Sequence, residues 1–191
     1  MVEREPVPGR APGAASPPDG TEVVDWITRS TRRDRTVISA VPPGFDAYAT
    51  IAIPPTDGTK TLADAALVEV LQAHTPDQPW WLGYLDTGVA ELVAAPSVSV
   101  YVGWPYALLL AGPQDALGSR ANASSTPWHS ALPELLFPAD RSWLVSTMWD
   151  DDWRCVGGPT AMIDALAAHP GLTVRTVSPD EDATPPGHDR E

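Results

Sequence analysis

The chain has 191 residues, enough for one domain with a hydrophobic core and too few for two large ones. Its net charge of −13 is unevenly spread, because residues 1–35 carry six basic and six acidic groups whereas residues 36–191 carry six and nineteen. Nucleic-acid binding needs lysine and arginine to displace counterions, so this charge balance argues against nucleic acid as a partner.

The single cysteine and the lengths of the apolar runs indicate the cellular compartment of the protein. Cys155 is the one cysteine, so no internal disulfide can form, and residues 1–10 lack the apolar core of a secretory signal. The longest apolar stretch, residues 101–111, contains Gly103 and Pro105 and falls short of the roughly 18 residues that a membrane helix needs. The sequence therefore predicts a cytoplasmic protein that does not enter a membrane.

Proline and glycine concentrate at the two ends. Residues 1–20 hold five prolines and three glycines, and residues 178–191 hold three prolines and five acidic groups. Neither segment has enough apolar surface to offset the entropy of ordering, so both are predicted to be disordered tails. Residues 21–177 are predicted to form a single α+β domain.

Three elements are predicted before residue 54. Residues 21–34 show a modest helical pattern that ends in arginines. Residues 36–41 and residues 48–53 are rich in β-branched and apolar side chains, and prolines stop each run. These two runs predict two strands separated by a turn.

A helix and a hairpin are predicted next. Residues 60–74 carry an apolar stripe at helical spacing, and Thr61 with Asp64 fits a capping box, which predicts a helix. Residues 80–85 read as a buried strand. A turn follows, and residues 89–94 are predicted to return as a second strand.

The third quarter of the chain predicts more strands. In residues 97–102 serine alternates with valine, the period of a half-buried strand, and residues 106–111 are continuously apolar, which suggests a central strand. A Gly-Pro turn then opens a short helix at Gln114. Residues 132–137 are predicted to form a helical turn, and residues 142–149 a strand.

A second Gly-Pro turn, at residues 157–159, opens a helix with Met162, Ile163 and Leu166 on one face. Residues 172–177 are predicted to be the last strand. Two strand, Gly-Pro, helix units together with several hairpins predict an α+β domain whose mixed, mainly antiparallel sheet is covered by two or three helices.

One short motif suggests an enzyme. Asp86-Thr87-Gly88 resembles the active-site tripeptide of retroviral-type aspartic proteases, in which two such aspartates share a proton and activate water. One copy occurs here, so a homodimer is required, and Val89 stands where a small residue usually follows the glycine. Asp-Thr-Gly is also ordinary turn chemistry between two strands. A hydrolase that uses Asp86 therefore remains an alternative, not the leading hypothesis.

A second hydrolase hypothesis pairs Cys155 as nucleophile with His129 as base. Cysteine is among the most often buried residue types, and a lone cysteine beside Val156 is more typical of a core than of an active site. Neither the ligand spacing of a zinc site nor the glycine pattern of a nucleotide site occurs, so no cofactor is predicted.

Three consecutive aspartates, Asp150, Asp151 and Asp152, stand between Trp149 and Trp153. Calcium loops alternate their ligands around a bending glycine, whereas adjacent carboxylates in an extended segment point to opposite sides. The triplet is therefore predicted to be a solvated turn or a landing site for a basic partner, not a metal site.

Eight tryptophans against two phenylalanines is the unusual feature of the composition. Trp80, Trp81 and Trp143 are predicted to pack inside, while other indoles are predicted to form a partly exposed cluster beside the aspartates. The predicted partner-binding residues are Trp104, Trp128, Trp149, Asp150, Asp151, Asp152, Trp153 and Arg154. The leading hypothesis is a non-enzymatic protein-interaction module that binds a basic protein, as immunity proteins bind toxins through electrostatic complementarity.

Two segments, PWWLGYLDTG and LLFPADRSWLVSTMWDDDWRCVGGP, carry a resemblance to a group of actinobacterial proteins of unassigned activity. The resemblance extends across most of residues 36–177. It implies a bacterial, cytoplasmic protein and implies nothing about mechanism.

Overall fold

A computed structural model describes residues 20–32, 35–75, 77–86, 97–101, 103–118, 132–148 and 151–185. These residues form one eight-stranded sheet, whose strands are β1 Ala47–Ala52, β2 Trp80–Leu85, β3 Ser97–Val100, β4 Trp104–Ala111, β5 Leu135–Pro138, β6 Leu144–Ser146, β7 Trp153–Gly158 and β8 Val174–Val177. The helices within these ranges are α1 Gly20–Thr28, α2 Asp57–His74, α3 Pro113–Gly118 and α4 Thr160–Ala168, with a 3-10 helix at Val37–Ser39. The predicted α+β class is confirmed.

The strands lie in the order β3-β4-β2-β5-β6-β7-β1-β8, and each neighbouring pair is antiparallel. Because β4 and β5 both pair with β2, they run parallel to each other, and α3 lies in the connection between them. In the same way β7 and β8 flank β1, and α4 connects them. The sheet therefore contains an α3 unit (β2, β4, α3 and β5) and an α4 unit (β1, β7, α4 and β8).

Each face of the sheet has its own core. On one face α2, α3 and α4 pack on the strands, with Leu71 of α2 and Leu166 of α4 fully buried. On the other face α1 and the 3-10 helix pack on the strands, with Ile27 and Val37 fully buried. Apolar burial contributes about 25 cal/mol per Å² on either face, so the sheet is stabilised from both sides.

Tryptophans fill the middle of both cores. Trp80 and Trp143 are completely buried and meet edge to face, with ring centroids 4.9 Å apart. The indole Nε1 of Trp143 donates a hydrogen bond of 3.2 Å to the hydroxyl of Thr75, the residue that follows α2. Trp81 lies on the opposite face and stacks on Phe137. The predicted burial of Trp80, Trp81 and Trp143 is confirmed.

Two predicted elements are wrong. Residues 36–41 do not form a regular strand, since the Ser39 hydroxyl donates a 2.8 Å hydrogen bond to the carbonyl of Thr36 and the chain turns as a 3-10 helix. Residues 132–137 do not form a helical turn, because their second half extends as β5 between β2 and β6.

The strand β7 was not predicted. All six of its residues are buried, because β1 and β6 flank it and both faces are covered. A strand in that position has no solvent face, and its sequence therefore lacks the polar alternation that marks a half-buried strand.

The helix α2 begins at Asp57, one turn before the predicted start, and Thr56 precedes it as N-cap residue. Asp64, predicted to be the partner of Thr61 in a capping box, instead faces the core and is completely buried. The cap and the acidic side chain therefore have separate roles.

The domain extends past residue 177, the predicted boundary. The Arg175 guanidinium pairs with Glu181 at 2.9 Å, and the Ala183 amide donates a 2.9 Å hydrogen bond to the carbonyl of Arg35. The Ala183 side chain is 5% exposed, so this segment belongs to the core of the α1 face. Residues 1–19 and 186–191 and the predicted strand at residues 89–94 lie outside the described residues.

Among the helices that the structure describes, none has both the length and the apolar character needed to cross a bilayer.

Candidate functional site

One edge of the sheet collects four acidic residues from three connections. Asp86 directly follows β2, Glu134 directly precedes β5, and Asp151 with Asp152 precedes β7. Because β2 runs antiparallel to β5 and parallel to β1, these strand ends lie at the same edge. Asp152 is exposed, and the other three are partly buried. We call Asp86, Glu134, Asp151 and Asp152 the charged edge.

Backbone hydrogen bonds connect the segments that carry this edge. The amide of Asp86 donates to the carbonyl of Pro105 in β4 at 2.8 Å, and the amide of Thr147 donates to the carbonyl of Glu134 at 2.7 Å. The connections after β2 and before β5 are thereby fixed to neighbouring strands. The backbone of Asp86 and of Glu134 is therefore held in place by neighbouring strands, which lowers the entropy that these two residues lose when a partner binds.

Glu134 is a partly buried carboxylate of the charged edge. Its Oε2 accepts a hydrogen bond of 3.1 Å from the backbone amide of Leu85. Burial raises the pKa of Glu134, and this effect outweighs the hydrogen bond from Leu85 and the attraction of Lys60 and Arg154, which act in the opposite direction. Glu134 therefore takes up a proton at a higher pH than an exposed glutamate does.

A buried ion pair lies behind the charged edge. The Arg154 guanidinium in β7 meets the Asp64 carboxylate in α2 at 2.6 Å, and the two side chains are 3% and 0% exposed. Such a pair fixes the position of α2 over the sheet, because removing either partner leaves a buried charge uncompensated. The electrostatic influence of Arg154 reaches Glu134, so the ion pair and the charged edge form one connected group of charges.

The predicted partner-binding residues separate into three groups. Asp151 and Asp152 lie at the charged edge, and Trp104 begins β4 at the same edge, where it is half-buried. Four strand spacings separate β4 from β7, so Trp104 and the aspartates are about 19 Å apart. Trp153 and Arg154 are buried, at 4% and 3% exposure, and are therefore unavailable as surface contacts. Outside the described residues lie Trp128, Trp149 and Asp150.

Trp153 and Arg154 were predicted to bind a partner, and they are buried because β7 lies in the centre of the sheet. Successive side chains of a strand point to opposite faces, so Trp153 enters the core beneath α1 while Arg154 points toward α2. An aromatic and a basic residue beside an acidic triplet suggested a surface cluster. The strand instead carries both of them inside.

Cys155 also lies in β7 and has the properties of a core residue. It is 3% exposed and stands opposite Ser146 of β6. Burial, assisted by the charge of Asp151, raises the pKa of the Cys155 thiol to about 12. The thiolate is the nucleophilic form of cysteine, so this thiol is inert at neutral pH. The predicted core position of Cys155 is confirmed, and His129 lies outside the described residues.

Asp86 is the described member of the Asp-Thr-Gly tripeptide. It is half-buried, and its backbone continues the pairing of β2 with β4. Thr87 and Gly88 lie outside the described residues, so the protease hypothesis stays a prediction. In the described ranges no three histidine, cysteine, aspartate or glutamate side chains are grouped so that they could hold a metal ion.

Sequence reasoning missed Glu134 and misassigned Asp64, although each carries a readable signal. Glu134 interrupts an apolar run that includes Leu132 and Leu135, and a single carboxylate in such a run indicates partial burial. Asp64 is spaced three and seven residues before Leu67 and Leu71, which places it on the core face of α2. A buried acid on a helix predicts a basic partner elsewhere in the chain, and the structure identifies that partner as Arg154.

No protein-family model, curated protein sequence or solved structure matches this chain. The resemblance to actinobacterial proteins therefore stays a prediction, and the site is interpreted from its geometry.

Proposed function

We propose that this protein is a non-enzymatic interaction module whose charged edge binds a basic protein. The observation that carries the proposal is that Asp86, Glu134, Asp151 and Asp152 all lie at strand ends on one edge of the sheet. Their negative potential adds to the overall charge of −13, which accelerates encounters with a cationic surface. Trp104, half-buried at the same edge, supplies an aromatic contact of the kind enriched at interfaces.

Affinity measurements on a purified partner test the proposal. A partner identified by affinity capture is titrated against the unmodified chain and against the double variant Asp151→Asn/Asp152→Asn. We expect the double variant to bind at least about tenfold more weakly and to show a smaller dependence on salt, since each close charge pair contributes on the order of 1.5 kcal/mol or more.

The matched control is Asp164→Asn/Asp180→Asn, which removes the same two charges from exposed positions on α4 and after β8. Its affinity is expected to stay within about twofold, a change that corresponds to less than 0.5 kcal/mol. Equal losses in the two double variants would mean that net charge and not the charged edge governs binding.

A hydrolase that uses Asp86 is the alternative, and the observation that keeps it is that Asp86 directly follows Leu85, whose backbone amide hydrogen-bonds to Glu134. Neighbouring carboxylates can act as acid and base in hydrolysis. A peptidase activity of the purified chain that Asp86→Asn abolishes would replace the interaction module with this alternative.

We also propose that the protein works in a bacterial cytoplasm and binds neither nucleic acid nor membranes. The single cysteine is buried and protonated, which suits a reducing compartment, and the acidic surface repels phosphate groups.

A further inference from the structure

The segment that follows the last strand folds back over the α1 face. The chain leaves β8 at Val177 and turns, with the Glu181 amide donating a 3.0 Å hydrogen bond to the carbonyl of Ser178. The side chain of Ala183 then enters the core of the α1 face. We call residues 178–185 the strap, because they cross this face without adding a strand to the described sheet.

One arginine of the sheet holds the strap. Arg175 lies in β8 and stands opposite Thr50 of β1, so the strand pairing fixes its backbone. Its guanidinium pairs with the Glu181 carboxylate at 2.9 Å and donates hydrogen bonds to the carbonyls of Asp182 and Thr184. A single side chain anchored in the sheet thus binds three residues of the strap.

The other attachments of the strap are small. The Ala183 amide donates a 2.9 Å hydrogen bond to the carbonyl of Arg35, and Asp182 forms an isolated bridge with Thr36. Ala183 and Pro185 are the buried residues of the strap, and each contributes little apolar surface. Segments with few buried apolar contacts and with exposed hydrogen bonds open at a lower free energy than the core does.

Two properties of Arg175 favour opening of the strap. Its Nε is buried and has no hydrogen-bond partner among the described residues, and a donor in that position regains a hydrogen bond when water reaches it. Its ion pair with Glu181 is accessible to solvent, since the two side chains are 28% and 46% exposed. Salt therefore weakens the main contact that keeps the strap closed.

We propose that the strap is a charge-held latch that opens as a unit while the sheet stays folded. Opening separates the strap from Arg175, withdraws Ala183 from the core and uncovers the backbone of Arg35 and Thr36. Thr36 has extended backbone angles, so the open state presents an extended segment that the closed strap covers. The latch does not depend on the charged edge or on the partner proposed for it.

Amide hydrogen exchange of the full chain, resolved by residue, tests this proposal. We expect the Ala183 amide to exchange at least about a hundredfold faster than the amides of β1, because local opening costs less free energy than global unfolding. Arg175→Gln should speed exchange at Ala183 by a further factor of at least about ten and leave the amides of β1 unchanged. Glu181→Gln changes only the strap and should act in the same direction, which keeps the test decisive if Arg175→Gln disturbs β8.

Salt provides an independent readout of the latch. Between about 0.01 M and about 1 M salt the Debye length falls from about 30 Å to about 3 Å, so exchange at Ala183 should rise at least about twofold relative to that of β1. Glu181→Gln should remove most of this dependence. The matched control, Arg29→Gln, breaks the exposed ion pair with Asp25 in α1 and should change exchange at Ala183 by less than about twofold.

Three results would each overturn the proposal. Exchange of the Ala183 amide at the rate of the β1 amides would mean that the strap opens only when the whole domain unfolds. Equal effects of Arg175→Gln and Arg29→Gln would mean that the loss of any surface cation, and not the latch, governs exchange. A salt dependence that Glu181→Gln leaves unchanged would mean that the ion pair does not hold the strap.

Discussion

The α4 unit and the α3 unit share one topology and differ in how completely their helices cover the sheet. In both, a strand ends in a turn that contains glycine and proline, a helix follows, and the chain returns on the far side of a central strand. In the α4 unit the helix has nine residues, and Met162, Ile163 and Leu166 are buried beneath it. In the α3 unit the helix has six residues.

The difference is also seen where each helix meets α2. The α4 unit is joined to α2 by the buried ion pair of Arg154 and Asp64, whereas the α3 unit is joined to it by an exposed hydrogen bond between Gln114 and Gln72. The polar contact of the α4 unit with α2 is therefore buried, and that of the α3 unit is open to solvent. The same supersecondary unit thus attaches to α2 by contacts of different expected strength in the two halves.

The largest expected effect comes from breaking the ion pair of the α4 unit. Asp64→Ala leaves the Arg154 guanidinium buried without its carboxylate, and we expect the free energy of unfolding to fall by about 3–5 kcal/mol in urea titrations. Gln114→Ala, at the corresponding contact of the α3 unit, is expected to cost less than about 1 kcal/mol because its hydrogen bond is exposed.

A second variant keeps this prediction decisive if Asp64→Ala does not fold. The double variant Asp64→Leu/Arg154→Met replaces the pair by apolar side chains and is expected to regain most of the lost stability. If Asp64→Ala and Gln114→Ala cost the same, the two attachments of α2 are equivalent and the proposed contrast fails.

An intermediate effect is expected from the glycines that precede the two helices. A Cβ at Gly158 would lie 2.9 Å from the Cβ of Trp143 and would also meet Met162, whereas a Cβ at Gly112 would meet the flexible Asp115 carboxylate at 3.3 Å. Overpacking should therefore lower the thermal stability of Gly158→Ala by about 1–3 kcal/mol. Gly112→Ala should change stability by about 0.5 kcal/mol or less, and a larger loss there would show that the α3 unit is packed as tightly as the α4 unit.

The smallest expected effect concerns Glu134, which precedes β5 of the α3 unit and lies within electrostatic reach of Arg154 in the α4 unit. Because burial raises its pKa above the unfolded value of 4.5, the folded state binds the proton more tightly. The Glu134 contribution to stability is therefore complete below that value and is lost as the pH rises through the higher folded pKa.

Urea midpoints measured across this pH range check the prediction. Glu134→Gln keeps an acceptor for the Leu85 amide and removes the titration, so its stability should fall less than that of the unmodified chain as the pH rises. Parallel pH profiles for the two proteins would mean that the Glu134 carboxyl has the same pKa in the folded and unfolded states.

Periodic segments of the sequence predicted much of this fold. The strand at residues 80–85 has the predicted bounds. The sequence also predicted α2 and the helix after Gly158, because each has one apolar face that contacts the sheet. The strands β5 and β7 could not be recognised in this way, because every residue in them is buried and no polar alternation remains. Whether such a segment becomes a strand depends on the strands that pair with it, and the local sequence says little about which strands those are.

The candidate site was predictable only in part for a related reason. Asp151 and Asp152 lie at the sheet edge where the acidic run suggested a surface, but the next residues, Trp153 and Arg154, enter the interior within one strand. The approach of Glu134 to Leu85 and of Asp64 to Arg154 depends on the strand order. Residues far apart in sequence meet there, and no local spacing encodes their contact.

The buried edge-to-face pair of Trp80 and Trp143 has a spectroscopic consequence. Trp80 belongs to β2 of the α3 unit, and Trp143 immediately precedes β6, the strand that leads to the α4 unit. Indoles held in such a fixed, asymmetric environment are expected to contribute to the near-ultraviolet circular dichroism, and this contribution should be lost when the tertiary packing is lost. Followed during unfolding, the signal would report whether the two halves of the sheet stay packed together.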